Sequence, residues 1–440
     1  MAPLTWISEA FTEALAASAA GDWDKVAKLC RPILAALPVH AGALSLLGSA
    51  RLAQGEPAEA ASYLEEAVRI DPAMFAAWLD WARALQSVGE RERAGAVLAE
   101  AGAHAPREAG ALTTLANRLQ DAGRFEAALD RYQQAAAIDP GNAVAQHNLG
   151  LALLLEGRYR EGWPHYAWRW QVAGLPLERT DVPVPAWSGE PLDGLSLLLW
   201  AEQGLGDTLQ FCRLIPRLAD QGARVHLLAP RSLHPLLASL EGLAGLHAEG
   251  DPLPAFDRHL PLLALPGRLD LGAEAMAAET PYLAAPRAKI EAWRERLGTG
   301  WIGLCWRGNP HHRGDATRSL AIESVRPLAE HKLVSLQIDA APDEIAVLGL
   351  FDAAPMITDW SDTAALVETL DLVITVDTSV AHLAGALGRP VWTLLPFVPD
   401  WRWGRAGART PWYPSMRLFR QPEPGDWSRV IDAVLRALDD

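Results

Sequence analysis

The run Asp371 to Pro390, DLVITVDTSVAHLAGALGRP, places three capping side chains, Asp377, Thr378 and Ser379, between a β-branched apolar segment and a helical stretch closed by Gly388 and Pro390. A strand that passes into a helix in this way leaves free backbone N–H groups and the positive end of a helix dipole at the edge of a sheet. Such an edge holds phosphate. His382, one turn into the helix, is placed to add a hydrogen bond there, and it reads equally as a packed core histidine. Upstream, AEQGLGDTLQF carries the carboxylates of Glu202 and Asp207 around a turn bent by Gly204 and Gly206. A carboxylate there is suited to taking a proton from a hydroxyl, and Asp207 reads equally as a helix cap. Leu209 stands where a dinucleotide fingerprint would need its third glycine, so this turn is a partial match to that pattern.

The surroundings bound what those residues serve. With 440 residues the chain is too long for one core, and two or three domains are expected. Its 39 basic and 54 acidic residues give a net charge of −15, which argues against nucleic acid or an anionic membrane as partner. Cys30, Cys212 and Cys305 are far apart and in apolar contexts, which fits neither a disulfide framework nor a zinc site. The first residues, MAPLTWISEAFTEAL, lack a basic, then apolar, leader pattern, and apolar runs such as Leu151 to Leu155 are too short to span a bilayer. A cytoplasmic protein is expected. No metal is demanded: Asp22 and Asp24 lie at the start of a repeat helix, where acidic residues suit the dipole, and His311 and His312 lack the spacing of a zinc pair.

Two kinds of architecture must position these residues. Gly21, Gly55, Gly89, Gly123 and Gly157 follow one another at 34 residues, and Pro38, Pro72, Pro106 and Pro140 keep the same step. That period, with small residues such as Gly48, Ala60, Ala94 and Ala128 at fixed places, is the pitch of the tetratricopeptide repeat, an all-α solenoid of paired helices. Its concave surface would bind a protein segment; a spacer or dimerisation arm is the plainer alternative. An aromatic cluster from Trp163 to Trp187 suits docking core. Beyond it, apolar strands at Leu195 to Trp200, Arg224 to Ala229, Trp301 to Trp306 and Leu333 to Gln337 alternate with helices, including one running from the GLGD turn to about Gln221. This predicts two Rossmann-like domains facing a cleft, with a final helix from Asp426 to Leu438 covering one of them. The expected divisions are 1–175 for the solenoid, 176–193 for a linker, 194–286 for the first α/β domain and 287–440 for the second.

GLGD and DTSVAHLAGALGRP together resemble the lipopolysaccharide heptosyltransferases and their relatives, inverting and metal-independent glycosyltransferases of the GT-B fold. With the repeats in front and the tail PDWRWGRAGARTPWYPSMRLFRQ behind, the chain is similar to bacterial glycosyltransferases that modify flagellin and, more distantly, to the O-GlcNAc transferases. The resemblance implies a nucleotide-sugar donor and no cofactor. It matches Asp207 to the proposed base, with Glu202 as second candidate, and Thr378, Ser379, Ala381 and His382 to the turn that holds the donor diphosphate. Asp377, Gly206, Gln203 and Asn309 are counted with the donor-binding set. Ser379 stands where that family usually has glycine, and its phosphate-binding lysine has no clear counterpart. The loop CWRGNPHHRGDATRS offers Arg307, Arg313 and Arg318 instead. Asp359, Ser361 and Asp362 precede a helix and suit either a nucleoside or a cap.

The function expected is transfer of one sugar, with inversion, to a hydroxyl of a protein gripped by the repeats. Flagellin is the acceptor the resemblance favours, and a nonulosonic acid such as pseudaminic acid is one sugar it allows. Two alternatives remain: transfer to a lipopolysaccharide or lipid-linked glycan, and a scaffold whose transferase domain is inactive.

Overall fold

The computed structural model describes residues 5–175, 177, 180, 182–276, 280–312 and 314–439. Its two compact units are Met1–Ala152 and Leu153–Asp440.

The first unit is built from helix pairs. Thr5–Ala19 and Trp23–Ala36 are followed by Ala41–Ala53 and Pro57–Ile70, then Phe75–Ser87 and Arg91–His104, then Ala109–Asp121 and Phe125–Ile138. The phased glycines explain the turns between partners. Gly21, Gly55, Gly89 and Gly123 have φ between +72° and +83°, a left-handed conformation that a side chain resists, while the space beside the first three is open. Between helices the need is different. A Cβ on Gly48 would sit 2.5 Å from Leu64 Cγ, so here the absent side chain is what lets two helices close. Asp22 caps its helix by accepting from Lys25 N at 3.1 Å, the dipole role its position suggests.

The second unit holds two parallel sheets. Strands β1 (Ser196–Trp200), β2 (Arg224–Leu228), β3 (Leu243–His247) and β4 (Arg258–Pro261) stand in the order β3-β2-β1-β4. Strands β5 (Ile302–Cys305), β6 (Leu333–Ser335), β7 (Phe351–Asp352), β8 (Leu372–Val376), β9 (Val391–Leu395) and β10 (Met416–Arg420) stand in the order β10-β9-β8-β5-β6-β7. Every pairing is parallel. Read outward from β5, the second sheet is doubly wound, and its order reverses between β5 and β8; the first reverses between β1 and β4. At such a reversal the connections leave in opposite directions and open a crevice at the carboxyl ends of the strands.

The final helix, Trp427–Asp439, lays Val430, Ile431 and Val434 onto the core of the second sheet, alongside Ile374, Val376 and Phe419. The helix expected from the GLGD turn to Gln221 is broken instead. Leu205–Phe211 gives way to a 3-10 turn at Cys212–Leu214 and a short helix at Ile215–Ala219, because Pro216 has no N–H to close on the Cys212 carbonyl, which accepts from Ile215 N instead.

Candidate active site

Both candidate loops leave central strands at the points of reversal. Val376 ends β8, Thr378 caps the helix Ser379–Ala386, and its hydroxyl accepts from Val380 N at 3.3 Å. Thr375 and Thr378 hydroxyls meet at 3.1 Å, fixing the turn from below. After β1, Gln203 stands at φ +62°, a left-handed conformation costly for a residue with a side chain. Its exposed side-chain amide donates to Tyr166 Oη at 3.0 Å. The helix Leu205–Phe211 then starts, and Asp207 Oδ2 accepts from Gly204 N at 2.8 Å.

These two helix starts touch. A Cβ on Gly206 would lie 2.8 Å from His382 Cδ2 and 3.3 Å from Ser379 Cα, so only glycine allows this approach. His382 is buried, stacks on Trp403 with ring centroids 5.3 Å apart, and shares a 2.9 Å hydrogen bond between Nδ1 and Tyr413 Oη. Burial, with the Arg402 and Arg213 charges, pushes its pKa well below the ordinary value, so the imidazole is neutral. Ala381 is buried behind it.

The carboxylates divide sharply. Glu202 is fully buried and bound in two parallel hydrogen bonds by Arg169, at 2.9 Å from Nε and 2.7 Å from Nη2. A carboxylate enclosed in this way holds structure and offers no oxygen to a substrate, so Glu202 is withdrawn as a candidate base. Asp207 pairs with Arg402 through Oδ1. Burial raises its pKa, and the Arg402 charge opposes that rise. Burial and the neighbouring Asp400 carboxylate push Asp377 up to about 6.

The cations divide as well. Arg318 donates from Nη1 to the carbonyl of Asp377 at 2.8 Å, which brings it to the β8 loop. Arg307 is turned away and pairs with Glu344 and, at 3.9 Å, Asp339. Arg313 lies outside the described residues. Asn309 is exposed, and its side chain accepts from His311 N at 3.0 Å, shaping its own loop. Asp359 caps the helix Trp360–Thr369, and Lys289 is held there by Asp362 at 2.6 Å and Ser361 Oγ at 2.8 Å. Capping is the role these residues play.

Sequence reasoning passed over Arg402, Arg213 and Arg169. Arg402 joins Asp207 and Gln210 of the first α/β half to Asp400 of the second. Arg213 donates to Trp412 O at 2.7 Å and lies between the rings of Tyr282 and Tyr413, 4.6 and 4.5 Å from their centroids. Around them Trp163, Tyr166, Phe211, Trp401 and Trp412 form a continuous aromatic core. The one available signal was the tail itself, in which Asp400, Trp401, Arg402 and Trp403 crowd charge between large aromatics.

Residues 357–424, which contain both the β8 loop and Arg402, match the family described as Glycosyltransferase family 9 (heptosyltransferase). The chain carries a glycosyltransferase domain. Ahead of it, residues 11–75 and 51–117 match the Tetratricopeptide repeat and residues 116–157 the TPR repeat. Protein FlbA of Caulobacter vibrioides is 28% identical over 361 residues, covering 70% of this chain and 57% of FlbA. The chain therefore spans little more than half the length of that curated relative. Among solved structures, the crystal structure of MamA covers 36% of this chain and 92% of its own at 23% identity and a TM-score of 0.31. Pseudomonas aeruginosa PilF covers 39% and 78% at 15% identity and a TM-score of 0.34.

Among the described residues no group of three or more His, Cys, Asp or Glu side chains is arranged to hold a metal ion, and no helix is long and apolar enough to cross a membrane. The solenoid unit carries an open groove of about 790 Å³, lined by Asp24, Lys28, Arg31, Arg51, Gln54 and Glu56.

Proposed function

We propose that this glycosyltransferase moves a sugar from a nucleotide-sugar donor to a serine or threonine hydroxyl of a protein, flagellin being the acceptor favoured, with inversion and without a metal. The observation that carries the reading is the contact of Gly206 with Ser379 and His382, which joins a carboxylate loop to a phosphate-type helix start where both sheets reverse. Asp207 takes the acceptor proton. The helix start at Ser379 to Ala381 receives the departing diphosphate, which takes the place of Thr378 as partner of the Val380 and Ala381 amides, helped by Arg318. The neutral His382 packs against Gly206 and sets the spacing of the two loops. Repeats and transferase on one chain support a polypeptide acceptor, and the mixed-charge groove on the solenoid is suited to a polar segment.

Intact-mass analysis of flagellin from cells with and without the protein tests the acceptor: a loss of one sugar mass per modified site is expected, and an unchanged mass excludes flagellin. For the site, Asp207→Asn and His382→Ala in a purified transfer assay should each lower the rate at least a hundredfold and tenfold respectively, by rough order. Full activity in both variants would overturn these assignments.

A further inference from the structure

The carboxylate assigned as base already has a partner. Arg402 is 7% exposed, and its guanidinium meets Asp207 Oδ1, Asp400 Oδ1 at 2.9 Å and Gln210 Oε1 at 2.7 Å. One residue away, Gly206 touches Ser379, so this ion pair ends beside the amide end of the helix Ser379–Ala386. Gln210 is fully buried, and its Nε2 finds no acceptor among the described residues. The cluster therefore has donor capacity left for a further oxygen anion.

We propose that Arg402 changes partner during transfer, holding Asp207 as a carboxylate until the proton arrives and then giving its charge to the departing diphosphate. This rests on the reading of Asp207 as base. In the transfer the acceptor O–H bond breaks and its proton goes to Asp207, while the hydroxyl oxygen forms the new bond to the anomeric carbon. The bond from that carbon to the diphosphate oxygen breaks, and its electron pair stays on the diphosphate. Negative charge thus disappears from Asp207 as it gathers on the leaving group. Asp400 still holds one side of the guanidinium, while the Nη2–H released by Asp207 needs another oxygen, and the planar fork fits a phosphate as well as a carboxylate. Arg402 is a positioning residue for the base and, after the exchange, a contact of the product.

Calorimetric titration of the full chain with inorganic pyrophosphate separates this from simpler accounts. Asp207→Asn mimics the protonated base and should bind pyrophosphate roughly tenfold tighter than wild type. In Asp207→Asn/Arg402→Gln the gain should vanish, and Asp207→Asn/Arg402→Lys, which keeps the charge and loses the fork, should retain part of it. An equal gain with Arg402 absent would show a general effect of removing a carboxylate and overturn the proposal. So would wild type and Asp207→Asn binding alike, a result that leaves the phosphate site standing. Absence of binding in every variant would overturn both this exchange and the donor site itself.

Discussion

The turn glycines of the solenoid and the contact glycines of the transferase unit do opposite work. In the solenoid Gly21, Gly55 and Gly89 have positive φ and open space around them, so the backbone conformation is what excludes a side chain. In the transferase unit Gly206 and Gly385 lie in helices and have crowded surroundings: Gly206 meets Ser379 and His382, and Gly385 lies against the ring of Tyr413. The first need is local and repeats with the sequence. The second arises between segments far apart in the chain, and it is where the chemistry sits.

The transferase unit should accordingly fail as a whole when one distant contact is cut. Glu202→Ala leaves Arg169 buried without its carboxylate and should cost about 3–5 kcal/mol, read from denaturant unfolding. Glu202→Gln, which keeps one hydrogen bond, should cost less. A variant of normal stability that merely loses transfer activity would return Glu202 to the catalytic set. Gly206→Ala ranks next, at about 1–3 kcal/mol, since the added methyl must displace His382 or the Ser379 backbone. Pyrophosphate affinity should fall with it, because the two loops separate.

The same contrast explains what could be read beforehand. Strands β1, β5 and β8 are buried, largely apolar runs because they are central and covered on both faces, and the 34-residue step announced the solenoid. Strand β3, with Gly245 and His247, and β4, with Arg258, His259 and Pro261, lie at sheet edges where burial is partial, and nothing in their pattern announced a strand. Strand β10 was hidden by the tryptophan and proline residues of the tail, and β9 by its place between Pro390 and Pro396. At the site, the helix starts at Asp207 and Thr378 were legible because capping is local. Arg402 was not: it meets Asp207 across 195 residues, and no spacing rule reports such a pair.

Asp377 gives a pH-dependent test confined to the transferase unit. Its pKa in the fold is raised to about 6, above the ordinary value for an unfolded chain, so ionisation is disfavoured by the fold. Stability from this group is intact at low pH and is lost as pH rises from about 4 through about 6. Asp377→Asn removes that loss. Its melting temperature should draw ahead of wild type as pH increases and hold a constant lead above about 7, equivalent to about 1–2 kcal/mol after solvent screening. A lead independent of pH would place the Asp377 carboxyl at an ordinary pKa.

The smallest effect is the sharpest test of the comparison. Gly89→Ala should cost about 1 kcal/mol, because alanine at φ +83° is strained although no atom lies in its way. Gly89→Asn should cost less, since asparagine tolerates the left-handed region. At Gly206 the order must reverse: asparagine is larger, the fault there is crowding, and Gly206→Asn should be worse than Gly206→Ala. Pairing Gly55→Ala with Gly89→Ala should add the two costs within a few tenths of a kcal/mol, as expected of separate turns. Unfolding free energies for these single and paired variants decide it. The same ranking of alanine and asparagine at both positions would mean that the two glycines answer to one constraint.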